Sequence, residues 1–141
     1  NMKTGELKSE QVMDTECEFP TFNTSLTGSR NEVTYTACSV DNGANSFFNG
    51  ISRVTHDGDA TVVALPPGCY GSEPVFVPKI NATKEDDGYL MEVVYNGFEH
   101  KSELQIYRAD DVNDQVCSLK LKHHLPHQFH GFYTPEVFSP T

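Results

Sequence analysis

The chain has 141 residues, with 20 acidic side chains against 10 basic ones and a formal charge of −10. That length can bury a core without disulfide or metal staples, and the acidic balance repels a phosphate backbone, so nucleic acid is not an expected partner. No apolar run approaches the roughly 18 residues of a membrane span, and the opening NMKTGELKSE lacks the apolar stretch of a signal peptide, so an intracellular setting is expected.

Residues 11–29, QVMDTECEFPTFNTSLTGS, form the least regular stretch and read as a lead-in loop. EVTYTAC follows, with Val33, Tyr35 and Ala37 alternating against threonines, the period-2 pattern of a strand with one buried face. After the turn-like HDGD of His56–Asp59 come TVVALP, PVFVP, YLMEVVY, SELQIYR and QVCSLKL, the last setting Cys117, Leu119 and Leu121 opposite Ser118, Lys120 and Lys122. Turn formers separate these runs at Asn42-Gly43, Pro66-Pro67-Gly68, Asp86-Asp87-Gly88 and Asn96-Gly97. The rhythm predicts an all-β chain of seven or eight strands. They make either a sandwich or two four-stranded blades of a propeller, between which periodicity does not choose.

Cys17, Cys38, Cys69 and Cys117 form no C-x-x-C pair and read as ordinary buried thiols. The sequons at Asn23 and Asn81 carry little information. KEDDGYL begins like a calcium loop but lacks its spacing and later Glu, and no nucleophile elbow, P-loop or dinucleotide fingerprint occurs.

Four histidines, His123, His124, His127 and His130, fall close together in LKHHLPHQFHGFY. Pro126 and Gly131 oppose a helix, so they do not share a face, and the cluster reads as a solvated loop rather than a self-contained metal site. His130 differs, standing between Phe129 and Gly131 as either a ligand or a hydrogen-bonded structural residue. Glu18 in CEFP and Glu73 in GSEPVFVP are either strand-end glutamates or carboxylates turned inward to accept an imidazole N–H, the device that orients metal-bound histidines.

Taken in order, EFPTFN, PPGCYGSEPVFVP, EDDGYLMEVVYN, SELQIYRADDV and LPHQFHGFY resemble the closing section of the carotenoid cleavage oxygenases, from Glu18 to Tyr133. The resemblance implies a seven-bladed β-propeller, of which residues 1–141 would be an incomplete, C-terminal part of about two blades plus connecting loops. It also implies an axial non-haem Fe(2+) held by four histidines, three of them backed by glutamates. By this resemblance His130 is the last iron ligand, Glu18 and Glu73 are two of the supporting carboxylates, and the other three ligands lie upstream. His127 matches no ligand. Thr21 stands where Arg or Gln is usual, and Ser72 where many relatives have Gly.

The implied chemistry is addition of O2 across a C=C bond of a carotenoid, apocarotenoid or related polyene, in the cytoplasm or a plastid. Stilbene cleavage and isomerisation occur on the same fold. An acidic β-sandwich binding module is the alternative of a different class. Members of the family dock on membrane surfaces through apolar loops; the nearest such pair here, Phe47-Phe48, reads instead as buried core.

Overall fold

The computed structural model describes residues 1–41 and 47–137; the Asn42-Gly43 turn and the closing residues 138–141 lie outside the described residues. Two antiparallel sheets account for the regular structure. The first has the order β1-β2-β3-β4, with β1 Glu16–Thr21, β2 Val33–Ser39, β3 Gly50–Thr55 and β4 Ala60–Ala64. In the second, β7 Gly88–Asn96, β8 Lys101–Arg108 and β9 Gln115–Lys120 form a meander. Two short strands, β5 Cys69–Gly71 and β6 Val75–Pro78, share the free edge of β7.

The alternation in β7 works as expected from the pleat, with Leu90, Glu92 and Val94 buried; in β2 Val33, Tyr35 and Ala37 are buried as expected, but so are Thr36 and Cys38 of the opposite face, so β2 is covered on both sides beyond Tyr35. Val33, Tyr35 and Ile51 of the first sheet pack against Phe76, Leu90 and Tyr107 of the second, with Tyr35 stacked on Phe76 at 5.9 Å. Gly88 is required in this core, because a Cβ there would lie 2.6 Å from both the Phe76 ring and the Val77 carbonyl oxygen. A smaller cluster, Leu65, Cys69 and Val94, is separate from it.

The sheets are joined by polar clamps at two places. At one, the Phe48 carbonyl before β3 accepts from Gly71 N of β5 at 2.8 Å. At the other end, EDD is used up by the fold. Glu85 Oε1 accepts from Glu32 N at 2.8 Å and Val33 N at 2.9 Å, Asp86 pairs with Arg53 at 2.7 Å, and Asp87 pairs with Lys79 at 2.8 Å. The amide of Asn23 donates to the Glu85 carbonyl, so this buried sequon residue is committed to structure.

Several expectations need correction. The lead-in stretch contains β1 and a 3-10 turn, Thr24–Leu26, rather than loop alone. Nine strands occur among the described residues; β1, β3 and β5 escape the pattern reading. The row Cys117, Leu119, Leu121 does share a face, but β9 ends at Lys120 and Leu119 is 49% exposed, because nothing in the described residues covers that side. Phe47 is not core: it is 48% exposed and stacks on His127 at 4.5 Å. Of the four free thiols only Cys38 and Cys69 are buried; Cys17 is exposed and Cys117 intermediate.

Candidate metal centre

The edge of β7 passes from β5 to β6 across Ser72–Pro74, and this gap places Glu73. Val93 N, opposite the break, donates to Ser72 Oγ at 3.2 Å in place of a ladder partner, and Pro74 is fully buried. The Glu73 carboxylate thereby meets the irregular strap that follows β9. Its Oε1 lies 3.1 Å from Nδ1 of His130, and its Oε2 accepts from Gly131 N at 2.7 Å.

Two acceptor oxygens on adjacent groups of one strap fix both the carboxylate and the segment. The Glu73 side chain is 14% exposed and that of His130 66%. With Nδ1–H donating to Glu73, Nε2 is the free acceptor nitrogen, and it belongs to an accessible ring. Beside the pair, Val75, Met91, Val93, Leu104, Phe132 and Tyr133 line an apolar cleft of about 230 Å³.

Glu18 sits on β1 opposite Ala37, exposed, with no side-chain hydrogen bond to a described residue. Register then shifts: Phe19 and Pro20 together face the single residue Thr36 before Thr21 meets Tyr35. This is a β-bulge on an edge strand, where Pro20's missing N–H costs no ladder bond. Phe19 adopts a positive φ of 55°, a conformation that strains a bulky side chain by on the order of 1–3 kcal/mol. The bulge turns its ring edge-on to His130 at 5.8 Å, so β1 and the strap converge on one imidazole although 111 positions separate the two residues.

The other histidines serve elsewhere. His127 lies between Phe47 and Tyr95, and His100 Nδ1 is 2.9 Å from the Tyr95 hydroxyl. Among the described residues no group of three or more His, Cys, Asp or Glu side chains is arranged to hold a metal ion. Among the described residues His130 is thus a single accessible imidazole with a carboxylate at its Nδ1.

One unusual group escaped the sequence reading. Glu92 is 1% exposed, lies between the two core clusters, and has no hydrogen-bond partner for either oxygen among the described residues. A Cβ on Gly71 would come within 2.0 Å of its Oε1. Burial pushes its carboxyl up to about 8, so it is held neutral around pH 7. Its phase was visible, since it falls between Leu90 and Val94 on the inward face of YLMEVVY.

An imidazole held from behind by a carboxylate is the arrangement that orients metal-bound histidines. Residues 1–135 match the family described as retinal pigment epithelial membrane protein. The chain is 33% identical to the apocarotenoid-15,15'-oxygenase of Synechocystis sp., over 82% of this chain and 24% of the relative. It is 31% identical to carotenoid 9,10(9',10')-cleavage dioxygenase 1 of Pisum sativum, over 96% of this chain and 28% of the relative.

Among solved structures, an ACO/RPE65 chimera is similar with a TM-score of 0.82 at 31% identity, covering 87% of this chain and 26% of the other. Cobalt-substituted Synechocystis ACO is similar with a TM-score of 0.79 at 31% identity, covering 84% of this chain and 25% of the other. The chain belongs to this family, the carotenoid cleavage oxygenases, and its fold class is that of the family's β-propeller rather than a sandwich. It spans about a quarter of the length of the relatives it matches.

Proposed function

We propose that this chain is the part of a non-haem Fe(II) dioxygenase that supplies one ligand, His130, and two supporting carboxylates, Glu73 and Glu18, with its two sheets forming successive blades of the propeller. The observation that carries the reading is the contact of Glu73 with Nδ1 of His130 at 3.1 Å, reinforced by the Gly131 N–H on the second carboxylate oxygen. By accepting the Nδ1 proton, Glu73 selects the tautomer whose Nε2 lone pair faces outward and makes that nitrogen more basic. Glu18, exposed on β1 and without a side-chain hydrogen bond among the described residues, is available to do the same for an imidazole supplied from outside this chain.

Neutral imidazoles suit Fe(II) and leave the metal its full charge. When bound, the iron supplies O2 activation for adding oxygen across a conjugated C=C bond of a carotenoid or apocarotenoid, giving two carbonyl products. The cleft that Glu73 lines with Val75, Met91, Val93 and Leu104 offers a hydrocarbon-compatible wall beside this carboxylate. In the intact protein, His130→Ala should abolish iron retention, measured as the iron-to-protein ratio after desalting; full occupancy in that variant would refute the assignment.

A further inference from the structure

We infer that Phe19 is a positioning residue for His130: its strained backbone at the β1 bulge exists to set a ring edge against the imidazole and hold the ring plane that Glu73 alone leaves free to swing. The inference rests on reading His130 as a metal ligand, and deepens it.

A single hydrogen bond at Nδ1 fixes one atom of the imidazole but not its plane. The side chain is 66% exposed, so solvent does not restrain it either. The restraint comes from aromatic rings. Phe19 meets His130 at 5.8 Å with planes at 90°, and Phe129 meets it at 4.5 Å and 81°. The two phenylalanines are themselves edge-on at 5.6 Å and 81°, and Phe48 braces Phe19 from behind at 5.5 Å and 80°. Edge-to-face pairs are directional, because the positive ring edge seeks a negative ring face, so three mutually perpendicular rings define one orientation.

The backbone supports the same conclusion. Asn81 and His100 also have positive φ, but each lies in a connection, whereas Phe19 lies within a strand and directly before Pro20, a setting that favours extended backbone. A bulky residue retains such a conformation where the surroundings over-determine it, and strain of this kind concentrates at functional sites. The bulge is what aims the ring: with regular pairing, Phe19 would project from the sheet according to simple alternation and Glu18 and Thr21 would share no shifted register.

The test uses the intact protein with Phe19→Leu, which keeps apolar bulk and removes the ring, and Phe19→Tyr, which keeps the ring. Two readouts apply: Co(II) affinity by titration against a competing chelator, and imidazole 15N shifts of the metal-free, 15N-histidine-labelled protein, with His130 assigned by its loss in His130→Ala. Phe19→Leu should weaken Co(II) binding by about 2- to 10-fold, the range an edge-to-face pair supplies, and should move the His130 nitrogens toward averaged tautomer values, because a ring free to swing breaks its Nδ1–H bond to Glu73 part of the time. Phe19→Tyr should restore both. Phe129→Leu, on a residue that is 72% exposed and so removable without unfolding, should act in the same direction. Wild-type affinity and wild-type 15N shifts in Phe19→Leu would overturn the inference, as would the same result in Phe129→Leu if Phe19→Leu does not fold. If instead His130→Ala binds Co(II) as tightly as wild type, the ligand assignment fails, and the 15N shifts still decide whether Phe19 orients the ring.

Discussion

Replacing Glu92 by Gln should remove most of the pH dependence that this core imposes on stability. In the folded protein the carboxyl is raised from 4.5 to about 8 by burial, with both oxygens unpartnered among the described residues. Below the unfolded value of 4.5 both states are protonated and the group contributes nothing. Between 4.5 and 8 the unfolded chain releases its proton while the folded chain keeps it, so stability falls as pH rises. Above 8 the full penalty is present.

At ~1.4 kcal/mol per pH unit the total is about 5 kcal/mol, of which about 3 kcal/mol is expected at pH 7. Gln has the same shape and cannot ionise. The variant should therefore match wild type near pH 4.5 and exceed it by these amounts at pH 7 and above, read from urea unfolding of both proteins at half-unit pH steps. Other titrating groups cancel in the difference. A difference that stays flat between pH 5 and 8 would refute the argument, since it would mean that Glu92 is solvated or paired in the folded state.

Glu85→Ala should cost about 1–2 kcal/mol by leaving the Glu32 and Val33 amides without their acceptor, a loss measurable as a lower urea midpoint with unchanged slope. Gly88→Ala should destabilise by about 1–3 kcal/mol, because the added methyl meets the Phe76 ring and the Val77 carbonyl, and the backbone cannot yield as a side chain can. Thermal unfolding would reveal it, and a wild-type midpoint would show that the sheet edge shifts freely. Cys17, exposed, should react with a maleimide in the native protein, whereas Cys38 and Cys69 should react only after denaturation. Burial drives the Cys38 thiol up to about 12, so its thiolate is scarce as well as inaccessible. Mass spectrometry of the labelled protein distinguishes the three.

The strands whose apolar residues alternate were legible in the sequence: β2, β4, β6, β7, β8 and β9 all coincide with runs rich in Val, Tyr and Leu between turn formers. β3 was not, because GISRVT buries Ser52 and half-buries Arg53, and such polar residues face inward only where a partner waits. The partners, Thr36 Oγ1 at 2.6 Å and Asp86 at 2.7 Å, lie 16 and 33 residues away in the chain. β1 was hidden by Pro20 and its bulge, and β5, at three residues, by its length.

Glu18, Glu73 and His130 could be singled out from their neighbours and from the order of the motifs, since residue type and local context are properties of the sequence. That Glu73 reaches His130 across 57 positions, and Phe19 across 111, is a property of the tertiary structure. The break between β5 and β6 aims one and the bulge in β1 aims the other. The neutrality of Glu92 likewise belongs to the fold. Alternation places the side chain inward, but only the packing of both sheets around it removes the water that would otherwise keep it charged.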